Sequence, residues 1–198
     1  MSTAAGSRAN PLATLPGVRT PSFSSMLLVA CAALAGCSHE VNRKQVADFI
    51  DQADNAARKR FAPEICKLRG QNFTMHVTFY GAEGREPSEL DMGRKLYCQQ
   101  AGSFSRLRQY KLERKSMDID IAIDRKTATV VAQYVETMPY YEPDMRPATP
   151  DDFRFFQIVE SRDESVVGLE SGDVRFLSSR VEAHQALVGK DTIKLPYD

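Results

Sequence analysis

The chain has 198 residues, 42% of them hydrophobic and 26% charged, a balance that suits a folded domain and excludes a disordered one. Its 26 Lys and Arg equal its 26 Asp and Glu, so no overall field draws it to nucleic acid, which is not expected as a partner. There is no tryptophan, and four cysteines are present.

The first 25 residues are rich in Ser, Ala, Thr, Pro and Gly and hold Arg8 and Arg19 but no acid. The apolar run Met26–Ala35 follows. It is half the roughly 20 residues that a membrane-spanning helix needs, so it reads as the core of a signal peptide. Translation from Met1 and from Met26 both stay open, although a start at Met26 leaves no positive charge ahead of the run. Leu34-Ala35-Gly36-Cys37 then resembles the lipobox of bacterial lipoproteins. The other reading is an ordinary secretory signal with a chance cysteine. The resemblance implies cleavage before Cys37, a lipid on its thiol and acylation, as by palmitate, of its new amine. Such chains together give stable anchoring. The expected location is the bacterial cell envelope, membrane-anchored and facing the periplasm, and Ser38 after the cysteine favours the outer membrane over the inner. Residues 1–36 are then a lipoprotein signal peptide and 37–41 a lipidated tether. Four extended residues reach about 14 Å, which keeps the domain near the bilayer. Residues 42–198 form a single domain. Loss of Arg8 and Arg19 leaves the processed chain 24 bases against 26 acids.

Asn42–Arg60 predicts a helix, with Val46, Phe49, Ile50, Ala53 and Ala57 on one face and Asn42 as its cap. Pro63 opens a short second helix that Gly70 stops. Asn72–Tyr80 alternates: Phe73, Met75, Val77 and Phe79 face one way, His76 and Tyr80 the other, as in a half-buried strand. Ser88, with Asp91 three residues on, predicts a third helix carrying Leu90, Gly93, Tyr97, Ala101 and Phe104. From Leu107 onward the pattern is one of strands. Met117, Ile119, Ile121 and Ile123 alternate with Asp118, Asp120 and Asp124. A turn at 124–127 returns the chain through 128–138. A proline-rich loop carries Tyr140 and Tyr141. Strands are expected at 153–162, 166–170 and 174–183, the last two joined at Ser171-Gly172. Cys66 and Cys98 remain after processing, and either a disulfide or two buried thiols is open.

This order makes an α+β domain in which N-terminal helices pack within a curved antiparallel sheet. The opening helix, the Ile119–Tyr134 hairpin and the closing Glu170–Phe176 hairpin resemble the cone-shaped nuclear transport factor 2-like (SnoaL-like) fold. Val174 stands where many members place tryptophan. The family includes enzymes, ligand binders and partner modules, so the fold leaves function open.

Relatives such as ketosteroid isomerase and polyketide cyclases keep an acid or histidine in the cone mouth, beside a donor for the developing oxyanion. The candidates here are His76, Tyr97 and Asp120, with Tyr80, Asp118 and Tyr134 behind them. For His76 the plain alternative is a sheet-surface or dimer-interface role; for Asp118 and Asp120 it is a solvated strand face. Scattered histidines and no matching cysteine spacing give no metal site, and no motif implies a cofactor. Arg106, Arg108, Lys111, Arg114 and Lys115, interleaved with Phe104 and Tyr110, are a candidate contact for an anionic envelope partner, or simply a wetted strand face. Tyr140 and Tyr141 mark a candidate partner loop. The leading expectation is a non-catalytic module that binds a partner protein or small apolar ligand, with homodimerisation through the sheet. The alternatives are a small periplasmic isomerase- or cyclase-like enzyme and a structural envelope component.

Overall fold

Contacts divide the chain into two units, Met1–Cys37 and Ser38–Asp198. The structure, a computed structural model, describes residues 40–81, 86–107, 109–141 and 153–189. Cys37 lies outside them, as do Arg108 and the prolines at 143, 147 and 150.

Helix α1 spans Arg43–Arg58, and the Asn42 side chain caps it by accepting from the Gln45 amide at 2.9 Å. At its other end the amides of Arg60 and Phe61 fold back onto the carbonyls of Ala57 and Ala56, with Arg60 at φ 53°. Glycine meets that left-handed position at least cost. Arg60 holds it with its guanidinium on the Leu107 carbonyl at 2.6 Å. Helix α2 (Ala62–Lys67) carries Pro63 in its first turn.

Strand β1 covers Arg69–Tyr80. The third predicted helix starts later than its sequence pattern implies. Ser88–Gly93 is strand β2, paired antiparallel with β1 so that Leu90 faces Val77. Gly93 is still extended, and α3 runs Arg94–Phe104 without a side-chain cap. Covering the otherwise open backbone of β1 outweighs a local capping signal. Strands β3 (Lys111–Ile121), β4 (Thr127–Tyr140), β5 (Phe155–Glu170) and β6 (Asp173–Gly189) complete the domain. The two segments predicted at 153–162 and 166–170 are one strand, β5.

The six strands order as β2-β1-β6-β5-β4-β3. The domain is α+β as expected, but its sheet is mixed rather than purely antiparallel, because β1 and β6 run parallel. The early strand and the last one meet from opposite ends of the domain, a pairing that no hairpin can supply. Register shifts at Arg69/Thr74, Arg114/Ser116 and Val166/Val167 bend the sheet. Ser171 and Gly172, at φ 54° and 87°, close the β5–β6 hairpin in the primed-turn manner.

The bend wraps one face of the sheet around α1. Val46, Phe49 and Ile50 pack with Ile119, Val130, Val167 and Phe176 in the main core, and the rings of Phe49 and Phe176 lie 4.9 Å apart. Each such side chain contributes about 1.5–3 kcal/mol by burial. A smaller cluster of Val159, Val181 and Ala183 fills the far end of the same face. Between them the concave face is not filled.

Candidate active site

That space is a partly open cavity of about 580 Å³ lined by α1, α2, β1, α3 and the concave face of β4–β6, with Met92 of β2 and Leu112 of β3 at its edge. Strand periodicity sets its chemistry. On β4 the inward residues run Ala128, Val130, Ala132, Tyr134, Glu136, from apolar to polar. On β5 Asp163 and Ser165 continue inward from Val167. One end of the cavity is therefore greasy, with Ile50, Leu68, Val130 and Phe176, while the other gathers titratable groups.

Asp54, on the buried face of α1, is only 4% exposed. Tyr134 donates its hydroxyl to Asp54 Oδ1 at 3.1 Å. Arg114 Nη1 and Arg58 Nη2 stand 2.8 and 3.6 Å from Oδ2. The Arg114 contact is close but poorly directed, an ion pair rather than an aligned hydrogen bond; the same guanidinium bonds Asp51 at 2.6 Å. Burial raises the Asp54 carboxyl, and Arg114, Tyr134 and Arg58 oppose it. Burial and the adjacent carboxylate likewise push the Tyr134 hydroxyl above its ordinary range.

Deeper along β4, Tyr110 donates to Glu136 Oε2 at 2.8 Å. Burial raises both groups, and the Tyr110 bond partly offsets the rise at Glu136. Asp163 differs from both acids. Burial pushes its carboxyl up to about 6, against a Ser161 hydrogen bond that lowers it, and nearby Glu136 adds to the rise. Its Oδ1 has no hydrogen-bond partner among the described residues.

Arg69, at the head of β1, completes the wall. Its guanidinium carbon lies 4.1 Å from the Phe176 ring centre, 4.5 Å from Tyr97 and 5.1 Å from Phe73. Nη2 donates to the Tyr97 hydroxyl at 2.5 Å. Tyr97 is delivered by α3, and the neighbouring Cys98 is joined by a disulfide to Cys66 of α2, with Cα atoms 5.4 Å apart. That bond staples the two helical walls together.

The residues singled out from sequence fall in different places. Tyr97 and Tyr134 line the cavity. His76 lies on the opposite face of β1, 2.8 Å from Asp91, in a shallow groove with Arg180 and Glu164. Asp120 is exposed, and Asp118 sits 4.0 Å from Arg43 on the outside. Tyr80 stacks on His184 at 4.4 Å. Of the described members of the basic run, Arg106 is exposed, Lys111 and Lys115 share Glu113, and Arg114 turns inward to Asp51 and Asp54. Tyr140 ends β4, and Tyr141 packs its ring on Phe153 at 6.1 Å. Among the described residues no group of three or more His, Cys, Asp or Glu is placed to hold a metal.

Asp54, Arg69, Glu136 and Asp163 were not legible as site residues by type alone. Position is the signal that finds them, since each is a charged residue at a core-facing step of its element.

No protein-family profile matches the chain, and neither does any curated protein. Solved structures do match. Hexachlorocyclohexane dehydrochlorinase LinA-type3 from Novosphingobium barchaimii is 9% identical at a TM-score of 0.52, over 78% of this chain and 93% of that one. A type 2 LinA dehydrochlorinase is 8% identical at 0.53, over 78% and 92%. A protein provisionally assigned as a scytalone dehydratase, from Novosphingobium aromaticivorans, is 12% identical at 0.50, over 88% and 95%. The domain therefore has the nuclear transport factor 2-like cone fold, the fold shared by these LinA and scytalone dehydratase-like neighbours.

Proposed function

We propose that the cavity is the active site of a small enzyme, of isomerase, cyclase or lyase type, that moves a proton on a compact and largely apolar substrate. Asp163 carries this reading. A carboxyl lifted to about 6 is ionised at neutral pH yet basic enough to accept a proton, and its Oδ1 has no internal partner. In the isomerase form, Asp163 takes a proton from a carbon next to a carbonyl. The C–H electron pair forms a carbon–carbon double bond, and the carbonyl oxygen gains the negative charge. Tyr97, whose oxygen already accepts from Arg69, keeps its own hydrogen to donate to that oxygen. Return of the proton to another carbon closes the cycle without a co-reactant. The dehydrochlorinase and dehydratase names of two neighbours lend support, since eliminations also begin with proton removal.

Deuterium incorporation from heavy water into a panel of cyclic ketones and enones tests the reading. The parent protein should catalyse exchange at least about 100-fold faster than Asp163→Asn, a loss typical of a missing general base. Exchange no faster than in the variant would leave the second reading, a non-catalytic binder of a small apolar ligand. That reading has its own support: the Tyr110 and Tyr134 hydroxyls spend their hydrogens on Glu136 and Asp54, not on the cavity.

We also propose that Cys37 is lipidated and holds the domain to the bacterial envelope. The four-residue lipobox resemblance supports this, and so does the Cys66–Cys98 disulfide, which fits an oxidising compartment. Fatty-acid labelling should mark the parent and not Cys37→Ala; equal labelling ends the idea.

A further inference from the structure

Among the described residues, Arg69 is a cation with no carboxylate in salt-bridge contact. Its Nε and Nη1 have no hydrogen-bond acceptor, and none of the ion pairs among the described residues includes it. Its one side-chain hydrogen-bond partner among the described residues is a neutral phenol, the Tyr97 hydroxyl. Three aromatic faces offset part of the cost, at about 0.5–2 kcal/mol each. Removing an ion from water costs several kcal/mol unless an opposite charge accompanies it. Arg114, in the same region, shows the usual solution, with Asp51 and Asp54 both on its guanidinium.

The acids of the cavity do not fill the gap. Asp54 is committed to Arg114 and Arg58. Glu136 is held by Tyr110, and its burial favours the uncharged form. Asp163 is the remaining acid: the Arg69 charge acts on it at longer range and lowers it, but no salt bridge joins the two among the described residues. Arg94 donates to the Arg69 carbonyl at 3.2 Å and brings no negative charge. Arg69 thus gives this wall a positive charge beside a hydroxyl that can still donate.

We propose that the natural ligand supplies the direct anionic contact that Arg69 lacks: it is a small aromatic or alicyclic acid whose carboxylate or enolate oxygen is received by Arg69 and Tyr97. The greasy end formed by Ile50, Leu68 and Val130 takes its ring. The inference rests on the active-site reading in that both place the ligand in this cavity. Charge-assisted bonds to such an oxygen are roughly twice as strong as neutral ones, so charge and not shape should set the preference.

The test uses 2-naphthoate and its neutral isostere 2-naphthamide, titrated into the full chain at pH 7.5 by calorimetry. The naphthoate should bind at least about tenfold more tightly. Arg69→Met should reduce that ratio to near one while keeping naphthamide binding. In ¹⁵N-labelled parent protein, the Arg69 Nε–H resonance should move with naphthoate and stay with naphthamide, a readout that needs no folded variant. Equal binding of both probes overturns the inference, as does a ratio that survives in Arg69→Met or a resonance that naphthoate leaves in place. Binding of neither probe overturns it as well. The catalytic reading fails separately, through absent Asp163-dependent exchange, and naphthoate selectivity without exchange would keep the anion site on a protein that only binds.

Discussion

The two sides of the cavity treat a buried carboxylate in opposite ways. On the α1 side Asp54 is met by Tyr134, Arg114 and Arg58. On the β5 side Asp163 has a Ser161 hydrogen bond and the more distant charge of Arg69, and its Oδ1 has no hydrogen-bond partner among the described residues. Burial is the largest upward influence on both. The difference therefore lies in partners, not depth. The α1 side uses its acid to tie a helix to β3 through Arg114, whereas the β5 side leaves its acid available. Structure and chemistry are divided between two residues of one type in one space.

Removing Asp54 should break that division most visibly. Asp54→Ala strands Arg114 and Arg58 against the cavity wall and should cost about 3 kcal/mol in urea denaturation, the scale of a broken buried pair. A loss under about 1 kcal/mol would mean that the network is ornamental. Next comes acidity at Asp163. Its folded carboxyl binds protons up to about 6, its unfolded one only to 3.8, so the folded state holds the extra proton between those values. Stability from this group is then fully present below about pH 4 and is lost as pH rises through 6. The change is about 2–3 kcal/mol, and Asp163→Asn should erase that slope. Parallel pH profiles of parent and variant would contradict it. The smallest effect belongs to the outer surface: Asp120→Asn should change stability by less than about 0.5 kcal/mol and leave ligand binding alone. A larger loss of binding would return Asp120 to the site.

Much of the fold was legible because its signals are periodic. The face of Val46, Phe49 and Ile50, the alternation from Phe73 to Phe79 and the Ser171-Gly172 turn each specify local geometry. What failed was non-local. Nothing near Ser88 announces that Leu90 will stand opposite Val77, and nothing in β1 or β6 announces a parallel partner a hundred residues away. The reading of 163–165 as a break in β5 has a plain cause. Arg162, Asp163, Glu164 and Ser165 look like a loop by composition, whereas their backbone continues the ladder opposite Gln133 to Val130. That single misreading concealed Asp163. His76 and Asp120 attracted notice by residue type, although strand parity places both on the side away from Phe73 and Ile119. Tyr97 was found because the helical spacing carrying it survives the shift of the helix start to Arg94.

The covalent link between α2 and α3 has a practical bearing on all of these measurements. Ala101 is the one buried residue of helix α3, and Tyr97 and Phe104 add ring contacts to Phe73 and Tyr110. Closing the 32-residue separation between Cys66 and Cys98 contributes about 3–4 kcal/mol by chain entropy. Material prepared in a thiol-rich cytosol would present Tyr97 on a loosened helix, and a negative ligand screen on such a sample would report on the preparation instead of the site. Oxidised protein, checked by alkylation and mass, is the form in which the cavity has a wall.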